Sequence, residues 1–210
     1  MKNIAIFASG GGSNFKSIHR FVQSGEIPAH IVLTISNTSD SGAIEYAREY
    51  NISTLIINKV HYENPVDREK FLIQTLIDNE VNLICLAGYM NLLPKSIVHQ
   101  YKNCILNVHP ALLPLFGGKG FYGIKVHEAV VASGVEESGV TVHFVDEEYD
   151  HGKIIAQEKV KVLSEDTAET LAERVLKVEH ELYPQVVKAF CEDRIIWENN
   201  HPIIEVTIAN

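Results

Sequence analysis

Apolar residues follow two different periods along the first half of the chain. Short runs of consecutive apolar residues, typical of strands buried on both faces, alternate with stretches in which apolar residues recur every three or four positions, as in helices. This alternation predicts an α/β fold with a mostly parallel sheet and helices on both faces. The predicted strands cover residues 4–8, 31–35, 53–57 and 83–87, and the predicted helices cover 15–22, 43–50, 68–78 and 95–101.

The second half begins with the same pattern and then departs from it. An apolar strand from residue 104 to 109 is followed by a predicted helix at residues 125–133. Two further strands, at residues 139–145 and 154–163, come one after the other without a helix between them. Consecutive strands joined by a short connection usually pair antiparallel, so we predict an antiparallel pair in the C-terminal part of the sheet.

A long amphipathic helix and a short tail complete the predicted elements. Ser164 or Asp166 is the predicted helix cap, and Glu169 stands three residues after Asp166, as in a capping box. Pro184 is predicted to kink the helix or to restart it. The tail, residues 193–210, predicts a hairpin or a packed terminal strand. No repeat or long linker divides the sequence, so we predict a single domain over residues 1–210.

The strand that starts after Cys104 ends in two polar residues, Asn107 and His109, and the chain then breaks at Pro110. Residues two apart on a strand share one face, so an amide and an imidazole point together where the chain turns. In parallel sheets, ligands bind beyond the carboxyl ends of the strands, and this placement favours a functional pair. The alternative is a buried histidine satisfied by a neighbour, with asparagine as a turn former.

Three consecutive glycines, Gly10 to Gly12, stand between the first strand and its helix. Glycines allow a ligand to approach the backbone, and the start of a helix offers N–H groups and a positive dipole end, so phosphate is the expected guest. Ser13 and Asn14 either add side-chain donors or cap the helix. Phe15 stands where a dinucleotide fingerprint has its last glycine, which weakens dinucleotide binding. A tight turn without a ligand is the alternative.

Two later loops are candidates for ligand contact. Tyr89, Met90, Leu92 and Leu93 form an apolar cluster after a strand, which indicates either ordinary core or a pocket for a flat aromatic ligand. The glycine-rich segment 115–123 indicates either a lid or a variable surface loop.

Composition narrows the classes of partner. The 210 residues carry a formal net charge of −9, so a broad electrostatic surface for nucleic acid or anionic membrane is not expected. The three cysteines are widely spaced and two lie in apolar runs, which indicates buried thiols in a reducing cytosol and neither a disulfide frame nor a metal site. No segment approaches the roughly 20 apolar residues of a membrane span. We therefore predict a cytoplasmic protein that binds neither nucleic acid nor membrane.

Taken in order, these motifs resemble the folate-dependent glycinamide ribonucleotide formyltransferases of purine synthesis. The resemblance covers about residues 1 to 192, and Glu179-His180 with Tyr183-Pro184 looks like the family's last helix. It implies a Rossmann-like formyltransferase fold. The other matching blocks are Gly10-Gly11-Gly12-Ser13-Asn14, Ala87-Gly88-Tyr89-Met90, Leu106 to Pro114, Gly139 to Val145 and Asp150-His151-Gly152.

The resemblance also implies a role for each matching position. Asn107, His109 and Asp150 would be the catalytic trio, with His143 in support. The first half, residues 1–100, would bind the ribonucleotide and its phosphate, and residues 101–192 would carry catalysis and folate binding. Ribonucleotide contacts would be Gly11, Gly12, Ser13, Asn14 and Glu179. Folate contacts would be Tyr89, Met90, Asn91, Leu92, Leu93, Val145, Asp146 and Glu147.

The implied reaction moves a formyl group from 10-formyltetrahydrofolate to the amino group of glycinamide ribonucleotide, in de novo synthesis of the purine nucleotide IMP. It passes through a tetrahedral carbon with an oxyanion, for which Asn107 and a protonated His109 would be the donors. Histidine suits the proton transfers near pH 7, and Asp150 would orient His109 and raise its pKa. No metal is needed. We predict a monomer or a homodimer.

Three departures from the family pattern and several alternatives stay open. The segment 115–123 is longer than in the shorter relatives. Asn91 stands where a basic residue is common, which questions a salt link to the glutamate tail of folate, and His151 replaces a small residue beside Asp150. A formyltetrahydrofolate hydrolase would use the same trio. The hydrolases that this sequence resembles carry an additional N-terminal regulatory domain, whereas here the predicted catalytic fold starts at residue 2. The transfer-RNA formylating relatives need a C-terminal nucleic-acid module, which we do not expect in the short acidic remainder of this sequence. A non-catalytic nucleotide-binding module is the alternative from another class.

Overall fold

The computed structural model describes residues 1–60 and 63–205. Part of the predicted loop between residues 59 and 67, and the predicted terminal strand beyond residue 205, lie outside the described residues. The described helices are α1 (Ser13–Gln23), α2 (Gly42–Glu49), α3 (Pro65–Asp78), α4 (Lys95–Gln100), α5 (Ile124–Ser133) and α6 (Ala168–Cys191). The described strands are β1 (Lys2–Phe7), β2 (Ala29–Ser36), β3 (Ser53–Ile56), β4 (Leu83–Leu86), β5 (Ile105–His109), β6 (Glu137–Phe144), β7 (Ile154–Lys161), β8 (Ile195–Glu198) and β9 (His201–Ile204).

In the described part of the chain, strands β1 to β7 form a seven-stranded sheet in the order β3-β2-β1-β4-β5-β6-β7. Strand β1 pairs parallel with β2 and β4, and β2 pairs parallel with β3. Strand β7 runs antiparallel to β6. The predicted α/β class, with a mostly parallel sheet and an antiparallel pair in the C-terminal part, is confirmed.

The chain divides into two compact units, residues 1–106 and 107–210. In the first unit, the side chains of β1 from Ile4 to Phe7 and all of β4 are buried, as expected for strands covered on both faces. Helix α2 begins at the cap residue Ser41, whose hydroxyl accepts a hydrogen bond from the Ile44 N–H at 3.3 Å. Helix α3 begins after Asn64, whose side chain caps the Val66 N–H.

In the second unit, the long helix α6 begins one residue later than the predicted caps. Thr167 is the cap, and Thr170 completes a capping box in the position that the sequence suggested for Glu169. Asp166 is not the cap because Arg174 binds both of its carboxylate oxygens, at 2.6 and 2.7 Å. The helix runs through Pro184 to Cys191, so the predicted restart at this proline is wrong.

The described tail forms an antiparallel hairpin of β8 and β9, in which Trp197 lies opposite Pro202. None of the helices within residues 1–60 and 63–205 is long and apolar enough to span a membrane.

Candidate active site

In the second unit, Asn107, His143 and Asp150 are joined by hydrogen bonds. The side-chain nitrogen of Asn107 lies 3.1 Å from His143 Nε2 and 3.3 Å from Asp150 Oδ1. His143 Nε2 also lies 3.7 Å from Asp150 Oδ1. Asn107 comes from β5 and His143 from β6, whereas Asp150 lies in the loop before β7. Strand ends and a loop that are far apart in sequence therefore meet in one cluster.

The tautomer of His143 determines how the Asn107 amide is turned. His143 Nδ1 donates to the backbone carbonyl of Phe144 at 2.7 Å, so in the neutral imidazole Nε2 carries the lone pair. A lone pair on Nε2 requires a donor from Asn107, which places the Asn107 nitrogen towards His143. The amide nitrogen of Asn107 thus has two acceptors within the protein, and the donor that the sequence reasoning assigned to the oxyanion is already engaged.

His109 is buried, and each of its ring nitrogens lies near an oxygen atom. Its Nε2 donates to the backbone carbonyl of Phe116 at 2.8 Å. Its Nδ1 lies 3.5 Å from Asp150 Oδ2, a separation longer than a good N–H···O hydrogen bond. With the proton on Nε2, the neutral ring carries its basic lone pair on Nδ1, beside the Asp150 carboxylate.

The glycine-rich segment 115–123 packs against this cluster. The Gly118 N–H donates to Asp150 Oδ2 at 3.0 Å. Gly117 fits because it lacks a side chain: a Cβ there would lie 2.4 Å from a Leu113 methyl and 3.3 Å from the Asp150 Cβ. Phe116 and Asp150 both adopt positive φ, 55° and 53°. Backbone groups of this segment therefore complete the hydrogen bonds of His109 and Asp150.

Thr141 fixes the turn that follows His109. Its buried hydroxyl donates to the Ala111 carbonyl at 2.6 Å and accepts from the Leu113 N–H at 3.0 Å. Gln157 Nε2 donates to the same hydroxyl at 2.9 Å. The turn is therefore tied to both strands of the antiparallel pair.

The environment shifts the pKa values of the two central groups. Burial alone would raise the pKa of Asp150, but His143, His109 and the Gly118 N–H together lower it below the usual range. Burial lowers the pKa of His109, and it outweighs the raising effects of Asp150 and of the Phe116 carbonyl. Asp150 does raise the His109 pKa, as predicted, but burial has the larger effect and the net shift is a fall. A carboxylate and a neutral imidazole result near pH 7.

Sequence reasoning missed His127, which is buried near the cluster in addition to His109 and His143. Burial lowers its pKa, and proximity to His109 lowers it further. Its Nδ1 has no hydrogen-bond partner among the described residues. The available signal was spacing, because His127 stands three residues before the buried Val130 on helix α5 and so shares its inward face.

In the first unit, the glycine loop leads directly into helix α1. Gly12 is the cap residue, with φ 71° and no side-chain cap bond, so the suggested capping by Ser13 or Asn14 is wrong. A Cβ on Gly12 would lie 2.9 Å from the Ala43 Cβ, and Gly42 approaches the Gly11 backbone closely. Gly12 and Asn14 are buried, whereas Gly11 and Ser13 are exposed. Because the cap residue is a glycine, the start of α1 has no side-chain cap.

Ser9 connects the glycine loop to the loop after β4. Its hydroxyl donates to Asn37 Oδ1 at 2.6 Å and accepts from the Met90 N–H at 3.0 Å. The Ser9 N–H donates to the Gly88 carbonyl at 3.1 Å. Two of the predicted ligand loops therefore lie side by side within this unit.

A cavity of about 590 Å³ lies beside these loops in the first unit. Tyr89 packs edge-on against Phe7, with ring centroids 5.2 Å apart, while Leu93 is buried and Met90 and Leu92 are partly exposed. Three basic side chains and one acidic one line the cavity, and the acidic one, Glu69, accepts a hydrogen bond from Ser96. The lining consists of Asn37, Ile57, Asn58, Lys59, Pro65, Arg68, Glu69, Leu72, Tyr89, Asn91, Leu92, Leu93, Pro94 and Lys95.

The remaining residues that the sequence predicted to contact folate or ribonucleotide lie in the second unit. Val145, Asp146 and Glu147 are half-buried in the loop after β6, and Glu179 is buried on α6. Asp146 is occupied by His151, whose Nδ1 lies 2.6 Å from its carboxylate, and this contact raises the pKa of the exposed His151. No group of three or more His, Cys, Asp or Glu within residues 1–60 and 63–205 is arranged to hold a metal ion.

The sheet order defines an α/β protein, and a cluster of Asn107, His109 and Asp150 lies at the end of its strand β5. A sequence model of the family described as Formyl transferase matches residues 2–187. The chain belongs to the formyl transferase family.

Individual relatives of the chain are also named formyltransferases. The chain is 49% identical over 207 residues to a chloroplastic phosphoribosylglycinamide formyltransferase of Arabidopsis thaliana, covering 97% of this chain and 70% of that one. A Vigna unguiculata relative of the same name is 47% identical, and the chain spans 66% of its length. The Bacillus subtilis phosphoribosylglycinamide formyltransferase is 38% identical, with 90% of this chain and 94% of that one covered.

Solved structures of similar proteins share the fold of this chain. The glycinamide ribonucleotide transformylase 1 of Symbiobacterium toebii superimposes with a TM-score of 0.89 at 35% identity, covering 97% of this chain and 94% of that one. A formyltetrahydrofolate deformylase from Pseudomonas syringae superimposes with a TM-score of 0.85 at 24% identity, covering 97% and 65%. At that identity the second likeness shows the fold alone.

Proposed function

We propose that this protein transfers the formyl group of 10-formyltetrahydrofolate to the amino group of glycinamide ribonucleotide, a step of de novo purine synthesis. The observation that carries the proposal is the closed cluster of Asn107, His109 and Asp150 in a member of the formyl transferase family. The identities of 38 to 49% to relatives named phosphoribosylglycinamide formyltransferase support this substrate.

In the proposed step, the substrate amine attacks the formyl carbon, a new C–N bond forms, and the bond from that carbon to N10 of the folate breaks. One proton leaves the amine and one proton reaches N10. Neutral His109 accepts the amine proton at Nδ1, and the resulting imidazolium is stabilised by Asp150 Oδ2 at 3.5 Å. It then returns the proton to the departing nitrogen. Acid–base catalysis of this kind contributes about 10²–10⁴ in rate.

Asn107 orients the reacting amine in this proposal. Because its amide nitrogen is bound by His143 and Asp150, its Oδ1 is the end turned away from them, where it can accept an N–H of the amine. The oxyanion of the tetrahedral intermediate then accepts a hydrogen bond from the Nδ1–H of protonated His109, because Nε2–H is bound to the Phe116 carbonyl and the 3.5 Å contact with Asp150 leaves Nδ1–H able to be shared. His143 supports the reaction by holding the Asn107 amide in this orientation.

The glycine loop holds the ribonucleotide phosphate in this proposal. Helix α1 starts at Ser13 without a side-chain cap, so its first N–H groups and positive dipole end face the loop. Gly11 and Gly12 allow close approach, and Ser13 and Asn14 add side-chain donors. Glu179 contacts the ribonucleotide from the catalytic half of the chain.

The folate co-substrate is held by two groups of residues in this proposal. The cavity beside Tyr89 has an apolar lining for an aromatic ring and basic residues for carboxylates. Val145, Asp146 and Glu147 complete the folate contacts. Asn91 stands where a basic residue is common in the family. Arg68 and Lys95 supply positive charge in its place. The other predicted folate contacts are Tyr89, Met90, Leu92 and Leu93.

The remaining proposals concern the setting of the enzyme. We propose residues 1–100 as the ribonucleotide-binding half and 101–192 as the catalytic half of one domain. The protein acts in the cytoplasm as a monomer or homodimer, without nucleic acid, membrane or metal.

The test is a steady-state assay of the purified chain with both substrates, in which loss of 10-formyltetrahydrofolate and formation of formylated ribonucleotide are measured. Folate consumption that requires the ribonucleotide supports transfer. Equal consumption without it identifies a hydrolase, and ligand binding without turnover identifies a binding module. Near wild-type turnover in folded Asn107→Ala and Asp150→Asn variants would refute the proposed trio.

A further inference from the structure

The C-terminal hairpin contains the chain's one tryptophan, Trp197. Strands β8 and β9 cover residues 195–204, which lie beyond the 2–187 matched by the family model. The proposed function gives this hairpin no role. Its tryptophan nevertheless contacts a residue next to the reaction cluster.

Trp197 stacks on Phe144, the last residue of β6. The two ring centroids lie 5.5 Å apart with an interplanar angle of 15°. Phe144 is only 4% exposed, whereas Trp197 is 41% exposed. The indole therefore covers the phenyl ring from the solvent side. Offset stacking fixes both the separation and the tilt of the two rings, which a non-specific apolar contact does not.

The backbone of Phe144 is fixed on both sides of this stack. Its N–H donates to the Lys153 carbonyl at 2.9 Å, which closes the loop between the two residues. Its carbonyl accepts the His143 Nδ1–H at 2.7 Å. Gly152 lies so close that a Cβ there would be 1.8 Å from the Phe144 carbonyl oxygen. Phe144 is therefore the point at which the loop carrying Asp150 is anchored.

A displacement of Phe144 reaches the reaction cluster by two routes. Its carbonyl sets the tautomer of His143, which in turn orients the Asn107 amide. Its N–H closes the base of the loop in which Asp150 adopts φ 53°. Catalytic groups lose much of their effect when they are displaced by about 1 Å, so the anchor has to be rigid.

We propose that Trp197 is a positioning residue for the reaction: by stacking on Phe144 it holds His143 in its Nδ1–H tautomer and the Asp150 loop in place. The rate effect of this role rests on the proposed formyl transfer. The tautomer effect does not, because it concerns the free protein. Within the hairpin, this role belongs to Trp197 alone, and Ile203 has no part in it.

The test compares Trp197→Ala, Trp197→Phe and Ile203→Ala in the full-length chain. Phenylalanine keeps a flat ring for stacking. Ile203 is the matched control because it is an exposed apolar residue of β9 that pairs with Ile196, and so points to the opposite face of the hairpin from Trp197. Trp197→Leu, which keeps an apolar cover without a ring, replaces Trp197→Ala if the latter does not fold.

The first readout is steady-state kinetics. We expect Trp197→Ala to lower kcat about 10-fold, with KM for the ribonucleotide within about 2-fold, because the binding loops of the first unit are unchanged. Trp197→Phe should recover most of kcat, and Ile203→Ala should match the wild type. Wild-type kcat in folded Trp197→Ala, or an equal loss in Ile203→Ala, would overturn the proposal.

The second readout is the tautomer of His143, measured by ¹⁵N NMR in ring-labelled protein without substrates. A wild-type Nδ1–H signal that becomes mixed in Trp197→Ala and returns in Trp197→Phe supports the positioning role. An unchanged signal in Trp197→Ala overturns it. If the wild type shows no formyl transfer, the proposed function fails, while the NMR comparison still decides the role of Trp197.

Discussion

The two candidate sites of this molecule are built in opposite ways. In the second unit, Asn107, His109 and Asp150 are buried or half-buried, and side chains and backbone groups bind one another in a closed network. In the first unit, the glycine loop offers mostly backbone groups, and the loop after β4 lines an open cavity. Reacting groups need fixed tautomers and orientations, which a closed network provides. A phosphate or a folate needs access and charge, which an exposed loop provides.

This difference predicts different failures on mutation. A change inside the closed network should affect kcat, because the remaining partners lose a hydrogen bond in a buried place. A change in the exposed loop should affect KM, because ground-state binding is weakened while the reacting groups stay in place. Four substitutions test whether effects on kcat and effects on KM arise at separate places, and they change His109, Gly12, Arg68 and Asp150.

The largest effect is expected for His109→Ala. Removal of the proton acceptor should lower kcat about 10²–10⁴-fold, with little change in KM for either substrate. Steady-state kinetics on protein shown to be folded by circular dichroism gives the measurement. His30→Ala, which removes an exposed histidine of β2, is the control and should be unaffected. A KM effect without a kcat effect would assign His109 to binding.

Gly12→Ala should have the next largest effect and should act on binding. Its φ of 71° disfavours a side chain, and a Cβ would lie 2.9 Å from the Ala43 Cβ. We expect KM for the ribonucleotide to rise about 10-fold and the free energy of unfolding to fall by about 1–2 kcal/mol, with kcat nearly unchanged. Steady-state kinetics measures KM and kcat, and calorimetry measures the free energy of unfolding.

The control for Gly12→Ala is Gly10→Ala. A Cβ at Gly10 would meet no atom within 4 Å, so this variant should be as stable as the wild type. An unchanged ribonucleotide KM in folded Gly12→Ala would show that the phosphate binds elsewhere.

The sequence predicted the fold, and the placement of Asn107 and His109 on one face, for a physical reason. Apolar periodicity reports which faces are buried, so it located each described strand and helix of the sheet region to within a few residues. The two-residue spacing of Asn107 and His109 placed both on one face of β5, and both side chains do face Asp150. Features that depend on local periodicity were therefore predictable.

Features that depend on distant partners were not predictable. The orientation of the Asn107 amide is set by the bond between His143 and a backbone carbonyl, and backbone acceptors leave no mark on the sequence. The net fall in the His109 pKa depends on burial, which a residue pattern does not quantify. Asp166 resembled a helix cap, but Arg174 binds its carboxylate eight residues further on.

Arg68→Gln tests the charge of the cavity and should have a smaller effect. Lys59, Arg68 and Lys95 line the cavity, and the single acidic residue there, Glu69, is hydrogen-bonded to Ser96. We expect KM for a polyglutamylated folate to rise about 2–5-fold, because water screens such charges, and the effect should shrink at high salt.

The control for Arg68→Gln is Arg48→Gln, which removes an exposed arginine from α2. A monoglutamate folate should show a smaller difference than a polyglutamate. Equal KM values for both variants at low salt would exclude Arg68 from binding the tail.

The smallest change is expected in the pH midpoint of Asp150→Asn, which tests the electrostatics of the network. The turnover of this variant is a separate quantity and should be well below that of the wild type. Asparagine tolerates the left-handed backbone at φ 53°, so residue 150 can keep its backbone conformation, although its NH₂ group cannot accept one of the two hydrogen bonds that the carboxylate accepts. Burial lowers the pKa of His109 and Asp150 opposes that effect, so loss of the carboxylate should lower this pKa further. Because the base acts when neutral, kcat/KM of the wild type should fall with decreasing pH with a midpoint below 6.5, the ordinary pKa of histidine. In the variant, whatever activity remains should fall at a still lower pH. An NMR titration of His109 measures the same shift without substrate, and a rise in its pKa would show that the carboxylate does not stabilise the imidazolium.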